Sequence, residues 1–397
     1  MKGKLTVLMI TAFVDMLGLA MVIPLLPFYA TKLGASASVV GVLIAAFSIA
    51  QLASAPLWGR FSDRYGRRPA LLAGLLISAV AYVIFAFAST LWLLLLSRVV
   101  QGLGGGTIGV VQAYVADASD PKDRAKSLGW LSAATSFGAV VGPAIGSALI
   151  HWGRHAPGIA SAIFCVLISM FAAVYLRESR EESQSTGEHG IPAETGSGAV
   201  WSVISRPKEP AQRLIWIYAI AIGAFYGTVP TLPLILSHRL PITEGNVGFF
   251  VMYLGGMGVF VRAGLLGRMI ERLGEARLTR LGLVLLAAGL ALIAAVHSYG
   301  TLLVALTLMP LGTAFVFPCV TAMLSRVVPS RNRGLYMGVQ HTFGGVSRVL
   351  FPLAAGVAMD HLGLGFPFVV AGMLVLSTLL LTTSMEDYAA GRAPSMT

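Results

Sequence analysis

Twelve stretches of roughly twenty predominantly apolar residues run through this chain, and they leave almost no freedom of fold class. They fall at about 5–29, 39–58, 69–89, 91–114, 127–150, 158–176, 212–237, 246–266, 277–297, 300–324, 335–358 and 364–384. At about 1.5 Å per helical residue, each can cross a hydrocarbon layer of about 30 Å. Only 11% of the residues are charged, against about 25% in soluble domains, so the bulk class is membrane protein. The apolar runs are continuous, whereas barrel strands alternate over about ten residues, so a β-barrel does not fit. The expected fold is an all-α membrane protein with twelve transmembrane helices.

The net charge of +11 does not point to nucleic acid. Sorted by loop, 22 of the 28 Lys and Arg fall on one side, counting both termini. Three (Lys32, Arg154, Arg239) fall on the other and three (Arg98, Arg262, Arg348) lie inside spans. Such asymmetry in short loops is the positive-inside signal. It predicts a multi-pass inner-membrane protein with both termini cytoplasmic, which needs an even number of spans. Lys2 and Lys4 precede an apolar run too long for a cleavable signal, so the first helix is expected to stay. Cys165 and Cys319 sit inside different spans and read as small packing residues, with no disulfide or metal framework.

The chain divides into residues 1–176, a polar segment 177–211 and residues 212–397. The middle segment is rich in Glu, Ser, Gly and Pro and reads as a cytoplasmic linker, with a short interfacial helix around Trp201, Val203 and Ile204. The two large parts repeat. Gly59-Arg60-x-x-Asp63-Arg64-x-Gly66 recurs as Gly267-Arg268-x-x-Glu271-Arg272-x-Gly274. Pro24-x-x-Pro27 recurs as Pro230-x-x-Pro233, and Arg124 and Pro143 recur as Arg333 and Pro352, all at offsets of 206 to 209. Repetition at nearly one offset predicts two pseudo-symmetric six-helix bundles with a central cavity.

Asp15 is the only acid near the middle of any of these spans. Burying an ionised carboxylate in hydrocarbon costs several kcal/mol, so such a residue normally faces a cavity or partner. Asp15 lies about 15 Å from the cytoplasmic end of its helix and Arg98 about 11 Å from the external end of its own, so they are expected to pair near the midplane. His341 and Arg348 are seven apart and share a helix face; they read as substrate ligands or as a structural pair. Arg262 lies nearer a helix end and can snorkel. Gln101 and Tyr226 are further substrate candidates, with Phe13, Tyr218, Phe225 and Tyr253 as possible apolar or stacking surface. Gly104-x-Gly106-x-x-Gly109 matches a dinucleotide fingerprint only as a string, because it sits in a span and not after a strand.

The segment Gly59-Arg60-Phe61-Ser62-Asp63-Arg64-Tyr65-Gly66-Arg67-Arg68-Pro69 reads as the loop after the second span, with Gly66 for a tight turn and Pro69 opening the next helix. It resembles the signature loop of the major facilitator superfamily. Arg98-x-x-Gln101-Gly102 is similar to that superfamily's buried-arginine motif, and Gly138-x-x-x-Gly142-Pro143-x-x-Gly146 to the signature of its antiporter branches. Asp15, Gly18 and Pro24-Leu25-Leu26-Pro27 resemble the tetracycline-exporter type of drug:proton antiporter.

The resemblance implies roles. Arg98 would tune or relay the proton taken up by Asp15. Asp63 would dock on the eleventh helix when the cytoplasmic side closes, within a gate of Gly59, Asp63, Arg64, Gly66, Arg67 and Asp117. Arg67 would pair with Asp117. Gly138, Gly142, Pro143 and Gly146 would pack against the eighth helix and help seal the cavity. Three departures stand out. Glu275-Ala276 replaces Arg-Arg in the second-half loop, which predicts a weaker gate there. Gly146-Ser147 replaces paired glycines. The ninth helix lacks the acid that tetracycline exporters carry there.

The expectation is a proton-coupled exporter of small amphiphilic compounds, monomeric, working by alternating access. Its partners would be protons, substrate and the lipid bilayer, with no nucleic acid. No cofactor, metal or catalytic residue is expected, since no His/Cys/Asp cluster has catalytic spacing. The alternatives are a transporter of an anionic metabolite using Arg98 and Arg348, and a non-transporting receptor. One mid-span acid beside three arginines favours anionic, zwitterionic or neutral compounds over dications.

Overall fold

Backbone that leaves water must find its hydrogen-bond partners inside the protein, and helices supply them locally. A computed structural model describes residues 2–120, 123–176, 196–383 and 385–386. Those residues form helices and turns with no strand. Of the expected linker, residues 177–195 lie outside the described residues, as do those after Glu386 at the C-terminus.

In chain order the helices are α1 (Lys2–Val22), α2 (Leu26–Lys32), α3 (Ala37–Tyr65), α4 (Arg67–Ala86), α5 (Leu91–Gly105), α6 (Ile108–Asp117), α7 (Arg124–Leu149) and α8 (Ala156–Tyr175). They continue as α9 (Gly196–Ser205), α10 (Pro210–Thr228), α11 (Leu232–Arg239), α12 (Val247–Phe260), α13 (Leu266–Ala294), α14 (Tyr299–Val327), α15 (Arg333–Leu362) and α16 (Phe366–Ser377). Among the described residues, ten continuous helical stretches are long and apolar enough to cross a membrane. One of them, Val247–Ala294, has 48 residues and breaks at Gly274, where φ is +73°, so it supplies two spans. The shorter apolar helix Phe366–Thr382 completes twelve.

Two compact units form. The first holds α1–α8 together with Pro241–Gly255; the second holds α9–α11, the end of α12 and α13–α16. In the first unit, α1 lies along α7, α3 and α4 pack on α5, and α4 packs on α8. Its core includes Leu8, Leu71, Tyr114 and Ala172, all fully buried. In the second unit, α13 packs on α14 and α10 on α15. The α13–α14 crossing is tight because two glycines meet: a Cβ on Gly312 would sit 2.6 Å from the Gly282 carbonyl oxygen, and one on Gly282 2.8 Å from that of Gly312. The expected interfacial helix is present as α9. Val203 is buried, Trp201 and Ile204 are exposed, and the Trp216 indole donates to the Val203 carbonyl at 3.0 Å.

Two sequence readings change. Gly59 to Tyr65 do not form a loop; they are the last turns of α3, which continues beyond its apolar window. The chain turns at Gly66 alone, where φ is +105° and the amide still donates to Ser62 O at 2.9 Å. Polar residues remain helical there because backbone hydrogen bonds need no apolar neighbour.

The fourth span is also not one helix. It breaks between α5 and α6, and α3 and Thr107 supply the missing donors. Ser54 Oγ donates to Gly102 O at 3.3 Å, Trp58 Nε1 to Leu103 O at 2.6 Å and Gln51 Nε2 to Gly105 O at 3.2 Å. Thr107 Oγ1 donates to Gly104 O at 3.0 Å. Four consecutive carbonyls at the break are thus satisfied by side chains, as an apolar setting requires. The dinucleotide-like glycines Gly104 and Gly106 sit at close contacts here, against Gly74 and Ser78 and against Ser54 and Trp58.

The Gly-Pro segment of α7 does pack closely on the eighth span, but its three glycines lie on another face. Gly138, Gly142 and Gly146 seat α7 directly on the backbone of α1; a Cβ on Gly142 would sit 2.7 Å from Leu17 O. Val140, Pro143 and Ser147 meet α12, and there the glycines are Gly248 and Gly255 on α12 itself. The segment sits between two helices and spends its glycines on the nearer one. Gly142→Leu is therefore expected to force α1 and α7 apart, costing about 1–3 kcal/mol or more of stability. A thermal melt of the purified protein measures it, with Gly109→Leu as control, because a Cβ at Gly109 meets nothing within 4 Å.

Candidate functional site

In the first unit, Asp15 on α1 is half-buried and makes no hydrogen bond or ion pair among the described residues. It lies within electrostatic reach of the Tyr82 hydroxyl on α4 and the Cys165 thiol on α8. Both neighbours are buried, Tyr82 at 1% exposure and Cys165 at 0%. Gly18, one turn after Asp15, makes room for the Tyr82 ring, which would lie 3.3 Å from a Cβ there.

Arg98 on α5 is 2% exposed, with its guanidinium 5.6 Å from the Phe85 ring centroid. Its Nε and Nη2 are buried without a hydrogen-bond partner, as are both amide atoms of Gln101 one turn on. Arg98 and Gln101 each approach Tyr82, which joins them to the neighbourhood of Asp15. The expected Asp15–Arg98 ion pair is not formed. Both residues interact electrostatically with the same tyrosine, while the guanidinium lies over the Phe85 ring. Two buried guanidinium nitrogens without acceptors are expensive, so this spot is set to receive an acceptor from water or ligand.

At the other end of α4, Arg67 organises three partners. Its Nη1 donates to Asp63 at 2.7 Å and to Ser62 Oγ at 3.0 Å, and its Nε to Asp117 at 3.1 Å. Asp63 is exposed, Asp117 is partly buried at the end of α6, and the Arg64 guanidinium lies 5.4 Å from the Tyr65 ring. A Cβ at Gly59 would meet nothing within 4 Å.

The second unit carries a counterpart that its sequence did not suggest. Glu275, directly after the Gly274 break, pairs with Arg326 near the end of α14. These positions correspond to Arg67 and Asp117 at offsets of 208 and 209, with the charges exchanged. The arginine lost at position 275 is answered at the facing position, where the counterpart of Asp117 is Arg326, and so an ion pair survives. The signal was present in the repeat, but pairing requires knowing which ends of α13 and α14 meet.

Also in the second unit, His341 on α15 stands edge-on to Tyr218 on α10, with centroids 6.3 Å apart. Phe317 lies 5.4 Å from the same tyrosine. Arg348, half-buried, interacts electrostatically with both His341 and Tyr218. Tyr226 is 45% exposed and packs edge-on to Phe225. Arg262 lies exposed in a π-helical turn, Val261–Leu265, which continues α12. Among the described residues, no three His, Cys, Asp or Glu side chains converge on a point that a metal would occupy. Tyr82 was missed from sequence, since a tyrosine in an apolar helix carries no signal of its own; Ser147 stood out only as a departure from paired glycines.

The family model of the Major Facilitator Superfamily matches residues 8–266 and 214–395. Multidrug resistance protein 2 of Bacillus subtilis (strain 168) is 28% identical over 391 residues, covering 97% of this chain and 96% of the relative. Tetracycline resistance protein, class B, of Escherichia coli is 27% identical over 364 residues, covering 91% of this chain and 90% of the relative. The crystal structure of the nucleoside transporter NupG shares the fold with a TM-score of 0.78 at 12% identity, covering 96% of this chain and all of that one. The layout of spans, the Arg67 cluster and the full-length match lead to one assignment: the chain belongs to the Major Facilitator Superfamily, a superfamily of multi-pass membrane transporters.

Proposed function

We propose that this chain exports small amphiphilic compounds in exchange for protons, by alternating access, and that Asp15 is the coupling acid. One observation carries the proposal. The sole mid-span carboxylate sits beside buried polar side chains yet has no cation fixed to it among the described residues. A structural acid would be neutralised by a permanent partner; an acid without one can take up and release a proton as its surroundings change. The names of the relatives, multidrug and tetracycline resistance proteins, agree with efflux of small drugs. Arg98 and Gln101, unpaired next to Tyr82, serve as relay and ligand groups. Loop charges favour an inner-membrane protein with both termini cytoplasmic; the reading takes it as a monomeric transporter and not as an enzyme.

The Arg67 cluster, with Gly59, Asp63, Arg64, Gly66 and Asp117, acts as a cytoplasmic gate, and Glu275–Arg326 repeats it with exchanged charge. A second reading concerns substrate charge and is favoured by the unpaired nitrogens of Arg98 and by Arg348 beside His341 and Tyr218. Each arginine neighbourhood by itself suits an anionic or zwitterionic group, and Tyr226 is a further candidate contact within the second unit.

Three outcomes are expected. Asp15→Asn keeps the fold and substrate exchange but abolishes uptake driven by an imposed pH gradient in proteoliposomes; full gradient-driven transport by this variant would remove the coupling role. Arg67→Ala or Asp117→Ala weakens the closed cytoplasmic end by about 1–3 kcal/mol, and exchanging the two charges partly restores it. Maleimide labelling of Gly59→Cys reports the closure, and unchanged labelling in both variants counts against a gate. Arg348→Ala weakens binding of anionic amphiphiles by about 1.5–3 kcal/mol and of neutral analogues less. A competition panel of matched anionic, neutral and cationic compounds checks this. Cation preference in the parent with no change in the variant would leave the exporter reading and dismiss the anionic one.

A further inference from the structure

Ser147 stands where the antiporter pattern has the second of two glycines, and it is fully buried. Its hydroxyl donates to the backbone carbonyl of Glu244 at 2.7 Å and accepts the amide of Gly248 at 2.9 Å. That amide belongs to the first turn of α12, where no acceptor exists within the helix. Such caps normally come from the residue just before the helix. Here the local candidate, Asn246, is engaged elsewhere, because its Oδ1 accepts the Thr243 amide at 2.8 Å. The cap is supplied instead from α7, 101 residues earlier in the chain.

The surrounding contacts are steric or exposed. Gly248 and Gly255 let α12 approach Pro143 and Val140, and Gly245 lies against His151. Lys32, at the end of α2, meets the Glu244 carboxylate, but its side chain is largely in the open, where an ion pair contributes little. The Ser147 hydroxyl is the buried polar bond among them. Separating Pro241–Gly255 from α7 would leave a hydroxyl, an amide and a carbonyl to find new partners.

We propose that Ser147 is a positioning residue of the transport cycle, holding the start of α12 on α7 and setting how readily that contact opens. The inference rests on the transporter reading above: α7 belongs to the first half of the sequence repeat and α12 to the second, and in alternating access the halves of the repeat move against one another in each turnover. A glycine at this position would keep the close approach and lose the bond, so the serine biases the protein toward the closed contact.

The test uses Val247→Cys, whose site is 1% exposed, with the native Cys165 and Cys319 as buried internal references. Maleimide labelling of the purified full-length protein is followed by peptide mass. Ser147→Ala is expected to raise labelling at position 247 by about tenfold, as loss of buried hydrogen bonds implies, with labelling of Cys165 unchanged. Ser147→Gly, which restores the family pattern, repeats the test if the alanine variant folds poorly. Unchanged labelling at position 247, or an equal rise at Cys165, would overturn the proposal, the second because it marks general loosening. Labelling needs no substrate, so it remains readable if efflux is absent. Efflux assayed on the parent protein tests the transporter reading separately.

Discussion

Inside a hydrocarbon layer no water is available to a peptide group, and every amide and carbonyl must be bonded within the protein. Most of this structure follows from that constraint. It makes each apolar stretch helical, and it makes each interruption conditional on a substitute partner. At the α5–α6 break the substitutes are Ser54, Trp58, Thr107 and Gln51, one for each of four consecutive carbonyls. At the start of α12 the substitute is Ser147. Polar side chains on apolar helices are here first of all backbone partners, and only a few remain unspent.

Some of those few lie in the candidate site. Asp15 has no fixed cation among the described residues, and Arg98 and Gln101 have buried atoms without acceptors or donors. Lipid offers no hydrophobic drive for helices to associate, so packing depends on how closely backbones approach. Gly138, Gly142 and Gly146 bring α7 onto α1, and the second of these lies opposite Leu17, two residues beyond Asp15. The same contact that builds the bundle therefore fixes the helix that carries the acid.

Charge is handled differently at the helix ends, where water is near. Arg67 gathers Ser62, Asp63 and Asp117, while Glu275 pairs with Arg326 at the corresponding place in the second unit. What the repeat preserves is a pairing across two helix ends, with the sign free to invert. Matched residue by residue, the cluster looks lost in the second half; matched by pairs, it persists.

Periodicity and composition alone determined the twelve helical spans, because a run of some twenty apolar residues has no other low-energy state in a membrane. The isolation of Asp15 and the repeat of Gly66 as Gly274 were equally legible, being statements about residue type and order. Contacts were not. Depth along two helices allowed an Asp15–Arg98 pair, yet depth does not fix rotation, and the guanidinium lies over the Phe85 ring instead. The Gly-Pro segment of α7 was expected on the eighth span and meets it at Pro143, but its glycines meet α1, because a helix has several faces and chain order does not say which neighbour each one meets. Ser147 as a cap for α12 joins residues 101 apart, and only the tertiary structure brings a donor and an acceptor that distant to one point.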